Sequence, residues 1–153
     1  MVHDRLRLLA VTVENHPGVM SRVSGMIRRR GFNIQTITVG PSTVEGRSRM
    51  TLTVDAGYAE VDQVAKQLDR LVEVIAVEDI TEAPTYSREL LIARLDRVPP
   101  TVEQYGARRV GNNLVELTAE TDTIEDFIEF LKPFGIQELA RTGPVAMRRT
   151  AQQ

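Results

Sequence analysis

Arg88-Glu89-Leu90-Leu91-Ile92-Ala93 echoes Arg5-Leu6-Arg7-Leu8-Leu9-Ala10 at an offset of 83. Farther along, Ile124, Phe127, Ile128, Leu131 and Phe134 repeat the apolar spacing of Val61, Val64, Ala65, Leu68 and Leu71 at an offset of 63, and Val115 and Leu117 match Leu52 and Val54 at that offset too. An internal repeat of this kind means two units built in one order. The fall from 83 to 63 means that the second copy has lost 20 residues between its first and third strands.

The first copy sets the order. Residues 5–13 alternate and then turn mostly apolar, as a strand with a buried face does. From Val19 the apolar Val19, Met20, Val23, Met26 and Ile27 fall at helical spacing, and Gly31 stops the helix. Residues 33–39 and 50–54 are β-branched and alternating, joined by a polar loop around Gly40-Pro41-Ser42 and Glu45-Gly46. Residues 59–71 read as a second helix and 72–80 as a fourth strand. The result is βαββαβ, an α+β, ferredoxin-like unit in which two helices cover one face of a four-stranded antiparallel sheet. The other face and the sheet edges are left needing partners, which a dimer supplies.

Glu82-Ala83-Pro84-Thr85 is a polar hinge, so the expected division is residues 1–82, a hinge at 83–87, and 88–153. In the second unit the long hairpin has shrunk to Gly111-Asn112, and residues 98–105 with Pro99-Pro100 leave room for only a short helix. This truncated copy closes with a strand at 136–141 and the turn Arg141-Thr142-Gly143-Pro144.

At 153 residues the chain can hold one ordinary domain or two small ones, and 42% hydrophobic content is enough to build a core. No run approaches the twenty or so apolar residues that cross a bilayer, and the start of the chain, with His3, Asp4, Arg5 and Arg7, lacks the apolar stretch of a signal peptide, so a cytoplasmic location is expected. The absence of cysteine removes disulfides, thiolate nucleophiles and cysteine metal sites. A net charge of -2 and 5% aromatic residues give no attraction to nucleic acid.

Glu14-Asn15-His16-Pro17-Gly18 carries the most chemistry. Pro17 suits the first helical position, and Gly18 lets the chain turn. Unpaired N–H groups at a helix start, at the positive end of the dipole, favour a carboxylate beside Gly18, Val19 and Met20. Asn15 before the turn and Asn33 after the helix each offer an amide donor and a carbonyl acceptor, as an amino-acid zwitterion requires. Taken alone, the same residues read as no more than a capped turn with an Asn near the helix N-terminus and Gly31 as its αL C-cap.

Catalytic constellations are missing: the sequence has no Walker A loop, no Gly-x-Gly-x-x-Gly after a strand, no His-Glu-x-x-His and no nucleophile elbow. His3 and His16 are too few for a histidine metal site, and His16 reads as a solvated turn residue. Arg28, Arg29 and Arg30 complement the end of their helix, as Glu120, Asp122, Glu125 and Asp126 complement the start of theirs.

Three blocks of the first unit then fit a known pattern. Glu14-Asn15-x-Pro17-Gly18-x-x-Ser21-Arg22-Val23-x-Gly25, Arg30-Gly31-Phe32-Asn33-Ile34 and Ser48-Arg49-Met50-Thr51 resemble the ACT domain of the acetolactate synthase small (regulatory) subunits. Leu131-Lys132-Pro133-Phe134-Gly135-Ile136-x-Glu138-x-Ala140-Arg141-Thr142-Gly143-x-Val145-Ala146 resembles the end of the same subunits. The resemblance implies a non-catalytic homodimeric subunit of branched-chain amino acid biosynthesis. It would activate a catalytic (large) subunit that carries thiamine diphosphate, Mg and FAD, bind no cofactor itself, and confer feedback inhibition by valine or another branched-chain amino acid. It further implies an effector held between two ACT domains, by Asn15, Pro17, Gly18, Val19 and Met20 of one chain and Asn33 and Ile34 of the other. Arg141, Thr142 and Gly143, in the tail of the second module, are expected to serve coupling to the catalytic subunit. Family members usually carry a full helix where this chain has residues 98–105, in the module implicated in activation. The alternatives are an ACT regulator of another amino-acid enzyme and a small stand-alone enzyme that uses the turn as an oxyanion site.

Overall fold

A computed structural model describes residues 6–55 and 61–150. The described residues up to Tyr86, joined by those from Ala146 on, form one compact unit, and Ser87–Val145 form the other. The tail from Ala146, which the repeat assigned to the second module with the rest of 88–153, packs with the first.

The first unit runs β1 (Leu6–Glu14), α1 (Val19–Arg29), β2 (Asn33–Pro41), β3 (Arg47–Asp55), α2 (Val61–Asp69) and β4 (Val74–Asp79). Expected positions Arg5 and Ala59, at the starts of the first strand and second helix, lie outside the described residues, as does His3. The strands form an antiparallel sheet in the order β2-β3-β1-β4. Leu9, Val11 and Val13 of β1 and Met50, Leu52 and Val54 of β3 point to one face, where Val19, Val23, Met26 and Ile27 of α1 and Val64 and Leu68 of α2 cover them. Each such side chain taken from water contributes about 1.5–3 kcal/mol, which is why the apolar stripe of α1 decides the helix's orientation on the sheet.

The opposite face is not left open as the sequence suggested. Ala146 lies on it, 2% exposed, in a small cluster with Ala10, Ile80, Leu8 and Ala83. Its N–H donates to Thr51 Oγ1 at 3.5 Å, and its carbonyl accepts from Arg49 Nη2 at 3.0 Å. The strand responsible is β9 (Val145–Arg148), which the repeat did not foretell because the first unit has no counterpart.

The second unit contains β5 (Thr85–Leu95, begun in the first unit), a 3₁₀ turn (Val102–Tyr105), β6 (Arg108–Val110), β7 (Leu114–Ala119), α3 (Thr121–Leu131), a 3₁₀ turn (Lys132–Phe134) and β8 (Ile136–Arg141). Its sheet order, β6-β7-β5-β8, is that of the first with each strand replaced by its counterpart. The registers correct the repeat by one residue. Leu9 pairs with Leu52 and Ala93 with Val115, so at the β3-to-β7 offset of 63 the first strands correspond at 84 rather than 83. An offset of 83 matches the outward Leu8 and Ala10 to the inward Leu91 and Ala93, because a one-residue slip exchanges the faces of a strand.

Where the first unit has α1, the second has only the 3₁₀ turn. Its Val102 is buried, and its Tyr105 ring lies 5.2 Å from Phe127 and 4.9 Å from Phe130, centroid to centroid. Phe130 in turn meets Phe134 at 5.6 Å, the two rings tilted by 49°. These ring contacts hold the short turn against α3.

Candidate functional site

β1 ends at Glu14, and the next residues are tied at both sides: Glu14 N–H donates to Glu73 O and Asn15 N–H to Gly46 O, each at 2.8 Å. The chain then reverses through His16-Pro17-Gly18-Val19, closed by a 3.3 Å bond from Val19 N–H to His16 O. Gly18, at φ 85° and ψ -3°, holds the left-handed third position of a type II turn, with Pro17 at the second. Pro17 therefore precedes the helix instead of beginning it. Gly18 is the N-cap residue, and its carbonyl accepts the first helical bond, from Arg22 N–H at 3.0 Å. Because no side chain caps α1, the alternative of an Asn-capped helix start does not hold. At the other end, Arg30 occupies the C-cap position and Gly31, at φ 81°, makes the left-handed exit.

Val19 N–H is spent on the turn, and its side chain is in the core. Among the described residues the N–H groups of Met20 and Ser21 have no protein acceptor. They lie at the positive end of the helix, where the Met20 side chain is exposed. Beside Gly18 lies a cation whose role the sequence did not show. A Cβ on Gly18 would stand 3.0 Å from Arg22 Nη1, while Arg22 Nη2 is 3.5 Å from Pro17 O and 2.5 Å from Glu73 Oε1. The spacing from Gly18 to Arg22, one helical turn, was the available signal. Glu73, on the α2–β4 connection, had none. His16 Nε2 meets Glu14 Oε2 at 2.8 Å, with both side chains solvated.

Asn33 and Ile34 are elsewhere. Asn33 opens β2 opposite Asp55, which in turn faces Leu6, whereas the turn follows Glu14, which faces Arg47. The two groups thus sit at opposite ends of a nine-residue strand, about 26 Å apart at roughly 3.3 Å per residue. Within one chain Asn15, Pro17, Gly18, Val19 and Met20 come together, and Asn33 with Ile34 form a separate group.

In the second unit Arg141 is no free strand end. Its Nε lies 2.6 Å from Glu89 Oε1 and its Nη2 2.8 Å from Glu125 Oε1. Glu89, 2% exposed, also accepts from Thr121 Oγ1 at 3.2 Å. Partial burial works against the Arg141 charge, but the hydrogen bonds and charges of Glu89 and Glu125 outweigh it and raise its pKa. Thr142 continues the pairing, donating its N–H to Leu90 O and accepting from Leu90 N–H at Oγ1. Gly143, at φ 77°, then turns the chain. Glu89, which anchors this cluster, escaped the sequence reading because a carboxylate in an apolar strand looks like its solvated neighbours.

Among the described residues no group of His, Cys, Asp and Glu side chains is placed to hold a metal ion, and no helix is long and apolar enough to cross a membrane.

Residues 9–76 match the family described as the AHAS small subunit-like ACT domain, and residues 110–150 match that described as the small subunit of acetolactate synthase. A probable acetolactate synthase small subunit of Archaeoglobus fulgidus is 42% identical over 92% of this chain and 95% of its own length. The acetolactate synthase small subunit of Bacillus subtilis is 38% identical over 96% and 92%. The crystal structure of the acetolactate synthase small subunit from Thermotoga maritima superposes with a TM-score of 0.84 at 33% identity, covering 95% of this chain and 98% of that one.

Proposed function

The chain belongs to the acetolactate synthase small-subunit family, and on that membership and the geometry of its Pro17-Gly18 turn we propose that it is the regulatory subunit of this synthase. It binds the catalytic subunit, raises its activity and carries feedback inhibition by a branched-chain amino acid, valine foremost. It performs no carboligation and holds no cofactor; thiamine diphosphate, Mg and FAD belong to the catalytic subunit.

The observation that carries this reading is the division of the site. The free N–H groups of Met20 and Ser21 together with Arg22 suit a carboxylate, and Asn33 and Ile34, at the other end of the sheet, suit an ammonium and a branched side chain. A two-fold dimer that pairs the first units side by side brings one group from each chain together, twice. The edge strand β2, with one side free of sheet partners among the described residues, is the natural seam. The incoming carboxylate competes with Glu73 for Arg22, so binding loosens the tie between α1 and the α2–β4 connection. Arg141, Thr142 and Gly143 serve coupling by keeping the end of β8 in place rather than by direct contact, since Arg141 is committed to Glu89 and Glu125.

The test is reconstitution. The catalytic subunit of the same organism, mixed with this chain, should co-elute with it, turn pyruvate over faster than alone, and lose that gain when valine is added. A chain that turns over pyruvate by itself, or one that leaves the catalytic subunit's rate unchanged, refutes the proposal.

A further inference from the structure

Arg22 already carries a carboxylate of its own chain, that of Glu73. Glu73 stands one residue before β4, on a connection held by bonds from Leu71 N–H to Leu68 O and from Val74 N–H to Leu71 O, each at 3.0 Å. Its carbonyl accepts from Glu14 N–H at the end of β1, at 2.8 Å. The Glu73 backbone is therefore fixed beside the turn, and its side chain is the part left to move. Arg22 meets it from the first turn of α1, with Nη2 2.5 Å from Glu73 Oε1 and Nη1 close to Gly18. The partners differ in solvation: the Arg22 side chain is 45% exposed and that of Glu73 only 20%. Glu14, the other carboxylate of the turn, is more exposed and meets His16 instead.

A ligand carboxylate that takes Arg22 leaves Glu73 charged, largely buried and without its cation, and a charge stranded in this way opposes binding. For a simple carboxylic acid nothing offsets that cost. An α-amino acid differs, because its ammonium is attached one carbon away and arrives with the carboxylate. An opened ion pair presents a cation and an anion side by side, which is the complement of a zwitterion.

We propose that the Arg22–Glu73 pair opens to receive the effector, with Arg22 on its carboxylate and Glu73 on its ammonium, where the Asn33 carbonyl of the second chain joins it. Glu73 is then the residue that makes an α-amino group a requirement. The inference rests on the function proposed above, which places a carboxylate at Arg22 but gives Glu73 no contact with the ligand.

Calorimetry on the full-length dimer tests it with valine and with isovalerate, which is valine without its amino group. A charge-assisted hydrogen bond sets the size of the effect, so the wild type should bind isovalerate roughly thirtyfold more weakly than valine. Glu73→Gln, which keeps the shape and removes the charge, should bind valine roughly tenfold more weakly and isovalerate no more weakly than the wild type does, so that the preference falls to about threefold. Arg22→Gln should weaken both ligands alike. Glu73→Met is the second charge-free variant should the first not give a folded dimer by circular dichroism and light scattering. Valine binding that is unchanged or tighter in a folded, charge-free variant would mean that Glu73 only competes for Arg22, and overturns the inference while the proposed function stands. Equal affinity of the wild type for valine and isovalerate overturns it as well. If the wild type binds none of valine, leucine and isoleucine, the proposed effector site fails and the inference fails with it.

Discussion

Glu89 shows how much one residue can hang on another. Its carboxylate is almost fully buried, and Arg141 is the only cation bonded to it among the described residues. Arg141→Ala therefore strands a buried charge, at a cost of about 3 kcal/mol for a partly exposed pair, and should lower the urea midpoint of the second unit. Arg141→Lys, which keeps the charge, should recover a good part of it. An Arg141→Ala chain as stable as wild type would mean that the pair holds nothing together. Asn33 is a different case, exposed and, in the proposed site, supplying one polar contact. Asn33→Ala should cost about 0.5–1.5 kcal/mol of effector binding, a two- to tenfold weaker affinity by calorimetry, with unchanged folding. At this scale the sequence was partly legible. Gly18 could be read because the turn demands a left-handed residue after proline. Arg22 could not be read as part of the turn, because its reach back to Pro17 depends on where Glu73 comes to rest.

Elements were clearer than their registers. The strand and helix order of the first unit followed from periodicity alone, since its apolar spacings of two and of three to four residues do not overlap. The repeat was found one residue out of step, because Leu8-Leu9-Ala10 and Leu91-Ile92-Ala93 are apolar on both faces and offer no phase. Pairing with the third strand, a long-range fact, fixes the phase at 84. The truncated helix was legible from Pro99-Pro100, but the ring contacts of the short turn were not, as Tyr105 and Phe130 are far apart in sequence. Tyr105→Ala should open a cavity against Phe127 and Phe130 and destabilise the second unit by about 2 kcal/mol, the lower end for an aromatic truncation because the ring is only half-buried. Thermal denaturation would show it, and a loss below about 0.5 kcal/mol would mean that the ring is not what holds the turn.

For the molecule as a whole, family and architecture were both visible in the motifs, whereas the return of the tail to the first unit was not. Nothing in Val145-Ala146-Met147-Arg148 distinguishes a docked strand from a solvated one until Thr51 and Arg49 are seen beneath it. Under the proposed function, the separation of the turn from Asn33 calls for two chains at each effector site, and light scattering at micromolar concentration should give a dimer of 17.1 kDa chains. A monomer there would leave each half-site without its complement. The claim on which the rest depends is that an amino-acid carboxylate sits on the helix start at Gly18. Gly18→Asp tests it most directly: a side chain at this φ is strained by about 1–2 kcal/mol, and its own carboxylate would take Arg22 and the free N–H groups from the ligand. Titration calorimetry with valine should show binding to the wild type and none to a folded, dimeric Gly18→Asp chain. Wild-type affinity in that variant would place the effector elsewhere and contradict the account.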